Sequence, residues 1–539
     1  MLERNTKPTR SLAPATRPLP LCYLLAMSDD EQSGSVSVAR WIGLVGGPVA
    51  AVTVALALAN LTSLAQPAAL CAGVATLMAV WWLTEALPMA ITALVPIVAF
   101  PLLGILSPKE ATRPYGDEIV FLFLGGFLIQ LAMERWGLHR RVAILTMLLV
   151  GTRPDRLIAG LMLGSAIISM WVSNAATAAM MLPIGVTVCQ FVARSRSGDD
   201  EVAASDNPAV RNFGTAALIG IAWSATIGGI ATPIGTAPNV IIRGYLAREM
   251  GIEISFLKWM VIGCPIAVVL LVAAWLILVK LFFPVADAAA GTSRDGREFL
   301  REQLQDLGPV KRGEWAALGV FAFAALGWVF GKPLSGMLGL VRDRVDAAGN
   351  IVGRDDMITD AVVAITAGLL LFIIPVDLKR QVFVLDWQTA KRMPYGVLLI
   401  FGGGMSLAAG IEATKLSEAM ATALRSLSGV DPLVLVLVIT AACIFMSEFV
   451  SNTALTQAMQ TVMGPAARAL GVNPLLTLLP TCFGASCAFM MPAGTPPSAI
   501  CFASGYFSVA QMARAGFVLN LVAIVAITLV MVYLVPLVI

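Results

Sequence analysis

The stretch Ser169-Met170-Trp171-Val172-Ser173-Asn174-Ala175 interrupts a long apolar run in the first half of the chain, and Ser447-Glu448-Phe449-Val450-Ser451-Asn452-Thr453 interrupts another run 278 residues later. Serine and asparagine in the middle of an apolar run indicate that a helix stops there. Two half-length helices joined by such a break enter and leave a membrane on one side, which is possible only where protein or a water-filled cavity covers the break. The duplicated break predicts a membrane protein with two related halves, each containing an interrupted helix.

Two further segments recur in the same order. Leu124-Gly125-Gly126 is matched by Phe401-Gly402-Gly403, and Pro233-Ile234-Gly235-Thr236-Ala237-Pro238 is matched by Pro492-Ala493-Gly494-Thr495-Pro496-Pro497. Proline removes a backbone N–H and glycine permits positive φ, so the proline segments predict unwound backbone inside apolar runs. Five predicted spans separate equivalent points, and an odd number inverts the second copy. Inverted repeats with interrupted helices are typical of secondary transporters whose site lies near the bilayer midplane.

Composition excludes most other classes of protein. Of the 539 residues, 58% are hydrophobic and 13% are charged, against about 25% charged in a soluble domain. The net charge of +3 is too balanced for a nucleic-acid-binding surface. The chain contains one histidine, His139, and its eight cysteines form no CxxC pair, so we expect neither an enzyme nor a protein with a bound cofactor. The fold class that follows is an all-α polytopic membrane protein.

The apolar segments and the basic residues together predict a topology. Two stretches, 157–192 and 431–470, hold the polar breaks and are predicted to be re-entrant hairpins. With a cytoplasmic N-terminus, 24 of the 36 basic residues fall inside, which favours eleven spans, two hairpins and an outside C-terminus. Counting each hairpin as two full spans, with thirteen or more helices, is the alternative. The predicted spans are 40–61, 68–86, 88–106, 118–136, 214–248, 259–284, 314–331, 358–376, 394–412, 474–506 and 513–538.

The residues at the two breaks suit a small cation. Ser169 and Ser173 are four residues apart, so we expect them on one helix face, with Asn174 following at the break. Hydroxyl and amide oxygens, with carbonyls freed where a helix stops, suit sodium. The alternative is that they join neighbouring helices by hydrogen bonds, which is common in membranes, but the duplication favours the cation site. The breaks and unwound segments contain no arginine or lysine, so we expect helix N-termini, amides, hydroxyls and bound cations to hold an anion.

From about residue 40 onward, the chain resembles the divalent anion–sodium symporters, the family of sodium/dicarboxylate and citrate carriers. The resemblance includes both breaks and Trp82-Leu83-Thr84-Glu85-Ala86-Leu87-Pro88. It also includes Ala132-Met133-Glu134-Arg135-Trp136-Gly137-Leu138, Ile400-Phe401-Gly402-Gly403-Gly404 and Ala485-Ser486-Cys487-Ala488-Phe489-Met490-Met491-Pro492. Together these segments are highly specific.

The resemblance implies an architecture. It implies a homodimer of eleven-helix subunits in the plasma membrane, each with a scaffold domain and a transport domain that moves across the bilayer as an elevator. The predicted parts are a polar cytoplasmic tail (1–39), scaffold (40–150), transport domain (151–284), cytoplasmic linker (285–313), scaffold (314–427) and transport domain (428–539).

The resemblance also implies a site, residue by residue. The first sodium site would use Ser169, Ser173, Asn174 and carbonyls near Gly235. The second sodium site would use Ser447, Val450, Asn452 and carbonyls near Gly494. The substrate carboxylates would meet Asn174, Asn452, Thr453 and the turn formed by Thr495 and Pro496.

The first break departs from the family pattern at its third position. Threonine is usual there in both halves, and here Ala175 follows Asn174. The missing hydroxyl removes a hydrogen bond to a charged group, worth about 1.5–3 kcal/mol, which is enough to alter preference among dicarboxylates. We therefore expect sodium-coupled symport of C4-type dicarboxylates such as succinate, malate or fumarate. The alternative on the same fold is a sodium-independent dicarboxylate exchanger or a sodium/sulfate-type carrier.

Overall fold

The computed structural model describes residues 38–61, 64–197, 207–285, 292–345, 351–419 and 430–539. Almost all of the predicted N-terminal tail, residues 1–39, lies outside the described residues. Within the described part, most residues are helical, and the four strands form two small antiparallel hairpins.

Twelve α-helices lie in the described residues of the first half, up to the segment 277–282. Single turns of 3₁₀-helix and π-helix occupy Arg113–Gly116 and Ile277–Phe282. The helices are α1 (Val38–Leu61), α2 (Gln66–Leu83), α3 (Met89–Thr92), α4 (Val95–Leu102), α5 (Pro108–Thr112), α6 (Glu118–Arg135), α7 (Leu138–Val150), α8 (Pro154–Ser169), α9 (Asn174–Ser197), α10 (Pro208–Ile230), α11 (Ala237–Glu249) and α12 (Phe256–Leu276).

The second half follows the same plan with a small insertion of strands. Short 3₁₀ and π segments occupy Pro492–Gly494 and Val530–Leu534. The elements are α13 (Thr292–Asp306), α14 (Arg312–Met337), β1 (Val341–Val345), β2 (Ile351–Asp356), α15 (Asp360–Ile373), β3 (Pro375–Asp377), β4 (Val382–Phe383), α16 (Trp387–Ala390), α17 (Tyr395–Ala413), α18 (Pro432–Ser447), α19 (Asn452–Leu470), α20 (Leu475–Ala485), α21 (Pro496–Phe502), α22 (Val509–Leu529) and α23 (Val535–Val538).

Among the described residues, nine helical segments are long and apolar enough to cross a membrane. Four shorter apolar helical segments, such as Pro432–Ser447, accompany them. The chain is therefore a multi-pass helical membrane protein, as its composition predicts. The nine segments are Arg40–Asn60, Gln66–Leu83, Pro108–Arg135, Asn174–Ser195, Pro208–Ile230, Phe256–Phe282, Arg312–Gly331, Tyr395–Ala413 and Val509–Val538.

The helices are interrupted at four points, which are the two polar breaks (between α8 and α9 and between α18 and α19) and the two unwound segments. The apolar stretch 214–248 divides into α10 and α11, and the stretch 474–506 divides into α20 and α21, with unwound backbone between them. The first polar break lies between α8 and α9, so Ser169 is the last residue of one helix and Ser173 precedes the next. The expectation that Ser169 and Ser173 share one helix face is wrong, because the helix ends between them.

Three hydrophobic cores hold the helices together. The largest core unites α7–α12 with α18, α20 and α22, and includes the buried rings of Trp223, Trp259 and Phe483. A second core joins α6, α14, α15 and α17, and a third joins α2 and α4 to α17. Each core contains helices from both halves of the chain, so the halves do not form separate units.

Candidate functional site

A cavity of about 1090 Å³ lies where the two halves meet. Both polar breaks and both unwound segments contribute to its wall. The residues that line it from these four segments are Ser173, Asn174, Ala175, Ile234, Gly235, Thr236, Ala237, Phe449, Val450, Ser451, Asn452, Thr453, Ala493, Gly494, Thr495, Pro496, Pro497 and Ala499.

Four helices begin at this cavity. Helix α9 starts at Asn174 and α19 starts at Asn452, directly after the polar breaks. Thr236 precedes α11 with φ −145° and ψ 150°, and Thr495 precedes α21 with φ −139° and ψ 145°, so the two repeats have the same backbone at this point. The first N–H groups of a helix have no partner within the helix, and the helix dipole is positive there. Helix α21 begins with Pro496 and Pro497, which have no N–H, and the N–H of Ser498 is capped by Thr495 Oγ1, so the N-termini of α9, α11 and α19 are the ones that favour an anion without a basic side chain.

The first break closes on itself through Ser169 and Asn174. The Ser169 hydroxyl oxygen lies 2.9 Å from Asn174 Oδ1 and 2.5 Å from the carbonyl oxygen of Ala225. Ser169 is fully buried behind the cavity wall, whereas Ser173 lines it and accepts a hydrogen bond of 3.3 Å from Gln130 Nε2. Several oxygen atoms thus converge within a few ångströms at the end of α8.

Two glycines allow the unwound segment of the first half to approach this cluster. A Cβ atom at Gly229 would lie 2.3 Å from Asn174 Oδ1, and a Cβ atom at Gly235 would lie 2.5 Å from the carbonyl oxygen of Gly229. Any larger residue at either position would collide with an oxygen atom or with backbone. The glycines therefore bring the main chain around Gly229 and Gly235 next to Asn174.

Asn239 and Thr232 hold the unwound segment of the first half in place. Asn239 is fully buried, and its Nδ2 donates to the carbonyl oxygens of Gly229 (2.9 Å) and Thr232 (2.7 Å). The Thr232 hydroxyl donates to the carbonyl oxygen of Met170, inside the first polar break. These bonds connect the end of α10, the unwound segment and the break into one unit.

In the second half, a carboxylate connects the polar break to the unwound backbone between α20 and α21. Glu448 is 2% exposed and belongs to the second polar break. Its two oxygens accept hydrogen bonds of 2.8–3.1 Å from the backbone N–H groups of Phe489, Met490 and Met491, and Oε1 accepts one from Asn520 Nδ2 at 2.8 Å. All these donors are N–H groups, so both carboxylate oxygens of Glu448 are tied to the backbone of residues 489–491 and to Asn520.

Asn452 differs from its counterpart in the first half. Its Oδ1 atom is buried and has no hydrogen-bond partner among the described residues, although Asn452 lines the cavity. A buried amide oxygen without a partner costs about 1–3 kcal/mol, so a ligand that coordinates it gains that free energy. On the same wall, the Thr495 hydroxyl donates to Ser498 Oγ at 2.8 Å.

Few charges reach the cavity. Within the described residues, the charged side chains that line it are those of Arg40 and Glu85. Arg40 Nε donates to the carbonyl oxygen of Ala86 at 3.2 Å, so this guanidinium is anchored to the wall. An anion in the cavity would therefore depend on helix N-termini, hydroxyls and amides, and on any cation bound with it.

Most of the predicted site residues line this one cavity, and the other two, Ser169 and Ser447, lie behind its wall. Ser169 and Ser447 are buried behind the wall, and the Ser447 hydroxyl donates to the carbonyl oxygen of Ile444 at 2.8 Å. The sequence does not identify Gln130 or Asn239, whose contacts come from other segments of the chain. The predicted residues that line the cavity are Ser173, Asn174, Ala175, Gly235, Val450, Asn452, Thr453, Gly494, Thr495 and Pro496.

Comparison with known proteins finds a matching family model and relatives that are similar over nearly the whole chain. A family model described as the sodium:sulfate symporter transmembrane region matches residues 39–539. The chain is 36% identical over 515 residues to the sodium-dependent dicarboxylate transporter SdcS of Staphylococcus saprophyticus, covering 95% of each chain. It is also 36% identical over 517 residues to SdcS of Staphylococcus aureus strain USA300, covering 96% of this chain and 95% of the relative.

A solved structure shares the fold at low sequence identity. The YdaH transporter of Alcanivorax borkumensis superimposes with a TM-score of 0.53 at 13% identity, over 80% of this chain and 87% of that chain. The likeness is one of fold alone.

Proposed function

Because this chain belongs to the sodium:sulfate symporter transmembrane family, we propose that it is a secondary transporter that couples sodium to the movement of C4-type dicarboxylates. It is a carrier and not an enzyme. Succinate, malate and fumarate are the expected substrates, since the relatives that match nearly the whole chain are named sodium-dependent dicarboxylate transporters. The single observation that carries the proposal is the cavity lined by both polar breaks and both unwound segments.

Two sodium ions are assigned to the two halves. The first ion would be held by Ser169, Ser173, Asn174 and carbonyl oxygens near Gly235, and the glycine packing around Asn174 supports this assignment. The second ion would be held by Ser447, Val450, Asn452 and carbonyl oxygens near Gly494. The partnerless Oδ1 of Asn452 supports this second assignment.

The dicarboxylate would lie between the two ions. Its carboxylates would meet Asn174, Asn452, Thr453 and the Thr495–Pro496 turn, next to the N-termini of α9 and α19. The scarcity of basic side chains in this wall makes substrate affinity depend on the bound sodium. Binding of sodium and binding of substrate then strengthen each other by the same factor, which is the thermodynamic basis of coupling.

The remaining architecture follows the same proposal. The chain would have eleven spans and two re-entrant hairpins, with the N-terminus inside and the C-terminus outside. Residues 151–284 and 428–539 would form a transport domain that moves as an elevator against a scaffold formed by residues 40–150 and 314–427. The large core, in which α8–α12 pack with α18, α20 and α22, supports a transport domain built from both halves. A homodimer would hold the scaffold still.

A sulfate-type carrier is the second candidate function. Ala175 lines the cavity without the hydroxyl expected at this position, and it leaves one substrate-facing hydrogen bond unmade. That difference lies in substrate recognition and not in the proposed sodium ligands. The choice of anion is therefore less constrained than the requirement for sodium.

Uptake of radiolabelled succinate into reconstituted vesicles tests the proposal. A panel of dicarboxylates and sulfate competes with succinate, first with sodium outside and then with choline in its place. We expect uptake with sodium, none with choline, and competition by C4-dicarboxylates. Succinate uptake that persists in choline would show a sodium-independent carrier, and competition by sulfate alone would replace the substrate assignment.

A further inference from the structure

A second polar cavity lies away from the transport site, between the start of α8 and the polar face of α13. Its volume is about 760 Å³. Four arginines line it, Arg153 and Arg156 from the start of α8 and Arg297 and Arg301 from α13, together with two glutamates of α13. The cavity thus has an excess of positive charge.

The four arginines outnumber the two glutamates that line this cavity, and within the described part of the chain none of the four forms a close ion pair. Among the described residues, the ion pairs of the chain do not involve Arg153, Arg156, Arg297 or Arg301. Arginine presents a planar fork of N–H donors that matches the oxygens of a phosphate group.

The packing of α13 fixes its arginines over this cavity. Leu300 is 1% exposed, and the ring of Phe299 stacks on Phe191 with centroids 4.4 Å apart. A Cβ atom at Gly296 would lie 3.2 Å from Thr152 Cβ, so the helix packs closely on the loop before α8. The apolar face of α13 is therefore used by the protein, and its charged face remains available for a ligand.

The start of α8 contributes to the same cavity. Arg156 folds back over Gly151, since a Cβ atom there would lie 3.1 Å from Arg156 Cδ and 3.5 Å from its Nη1. Helix α8 begins at Pro154 without a side-chain cap on its first N–H groups. The positive end of this helix thus adds to the field of the arginines.

A tryptophan locates the cavity at the level of the lipid headgroups. Trp275, near the end of α12, donates from Nε1 to the carbonyl oxygen of Asp155 at 3.0 Å, and Lys280 Nζ lies 6.0 Å from the centre of its ring. Tryptophan and lysine at the end of an apolar helix are typical of the membrane–water interface. Asp155 lies between Arg153 and Arg156, so the arginines are at headgroup depth.

We infer that the cavity lined by Arg153, Arg156, Arg297 and Arg301 binds the phosphate group of an anionic phospholipid. Basic cavities at the membrane surface recognise anionic headgroups through charge and hydrogen bonds. The lipid would join the start of α8, which belongs to the proposed transport domain, to the connecting helix α13. This site is independent of the sodium and dicarboxylate sites.

Native mass spectrometry of the full-length protein tests the inference. The protein is released from nanodiscs that contain equal amounts of phosphatidylglycerol and phosphatidylcholine, and the lipids retained by each molecule are counted. We expect wild type to retain phosphatidylglycerol selectively. The double variant Arg297→Gln/Arg301→Gln should lower that selectivity by about tenfold or more, because each basic residue near an anionic headgroup adds to the attraction.

Two further samples make the result decisive. Arg153→Gln/Arg156→Gln, on the α8 side of the cavity, should lose the same selectivity for phosphatidylglycerol. Agreement between the two double variants would show that the loss does not come from a folding defect in one of them. Lys379→Gln/Arg380→Gln removes the same charge from an exposed turn and should retain the lipid. Equal selectivity in wild type and both arginine variants would overturn the inference, as would an equal loss in the control. Thermal protection of wild type by inorganic phosphate alone would assign the cavity to a free anion instead.

Discussion

The Ser169 hydroxyl oxygen lies 2.9 Å from Asn174 Oδ1, whereas Asn452 Oδ1, at the corresponding place in the second half, is buried without a partner among the described residues. The two repeats have the same backbone conformation before α11 and α21, but the side-chain oxygens of their asparagines differ in hydrogen bonding. One amide is held by the protein, and the other is available to a ligand.

Removing the amide at Asn452 should stop transport. In Asn452→Ala, a cation or carboxylate loses a coordinating oxygen, and hydrogen bonds to charged groups are worth about 1.5–3 kcal/mol, so sodium-dependent succinate uptake should fall by about tenfold to a hundredfold. Asn174→Ala should behave alike. Vesicle uptake measures both, and Asn60→Ala, which changes an exposed asparagine that donates to the carbonyl oxygen of Leu56 in its own helix, is the control. Normal transport by Asn174→Ala would mean that the first cation site is misassigned.

Restoring the hydroxyl at Ala175 should change substrate preference. Ala175→Thr adds a donor to a residue that lines the cavity, so the relative affinity for C4-dicarboxylates should rise by about tenfold to a hundredfold, the effect of one hydrogen bond to a charged group worth about 1.5–3 kcal/mol. Competition of succinate uptake by an anion panel measures this ratio. Ala176→Thr, one residue further along α9, is the matched control because Ala176 does not line the cavity. An unchanged ranking of anions would argue against a substrate contact at this position.

Loss of the Asn239 amide should loosen the unwound segment. Asn239→Ala leaves the carbonyl oxygens of Gly229 and Thr232 without their donor, at a cost of about 1–3 kcal/mol for each buried group. We expect a lower thermal unfolding midpoint and a higher sodium concentration for half-maximal uptake. Asn212→Ala, which removes an exposed bond to Pro284, should change neither quantity. An unaltered sodium dependence would limit Asn239 to a role in stability.

The chain has a single histidine, and its environment predicts a pH effect on stability. Burial, with a smaller contribution from the positive charge of Arg140, lowers the pKa of His139 from 6.5 to about 4. The folded protein thus favours the neutral ring. This contribution is fully present above about pH 6.5 and is lost as the pH falls toward 4, and it amounts to at most about 3 kcal/mol.

One measurement checks this directly. Because no other histidine is present, the ¹³C-labelled imidazole gives one NMR titration curve, which should have its midpoint near pH 4. The thermal midpoint of wild type should fall between pH 7 and pH 5 by more than that of His139→Gln. A titration midpoint near 6.5 would contradict the prediction.

The sequence predicts the interruptions of the helices better than it predicts their surroundings. Polar residues and proline–glycine segments inside apolar runs are local signals, and the structure has a helix break at each of the four positions. The exact place of a break depends on tertiary packing. Helix α8 ends at Ser169 rather than beyond Ser173, where the Ser169 hydroxyl lies within hydrogen-bond distance of Asn174 Oδ1 and of the carbonyl oxygen of Ala225.

Contacts between distant segments carry no local signal. Gln130 reaches Ser173 from α6, and Glu448 accepts N–H groups about 40 residues further along the chain. A repeat identifies equivalent positions but not the bonds that each copy makes. Met170, the counterpart of Glu448, offers only its carbonyl oxygen to Thr232. The different chemistry at these equivalent places could not be derived from the repeat.

The close approach at Gly229 and Gly235 limits how this carrier can be redesigned. Where main chain forms the wall, its shape cannot be tuned by exchanging side chains, since a single added methyl group collides with an oxygen atom or with backbone. Engineering for longer or bulkier cargo must therefore work at other lining positions, such as Ala175 and Thr453, where a side chain is present to exchange. Directed evolution libraries that spare the two glycines should retain many more active members than libraries that randomise them.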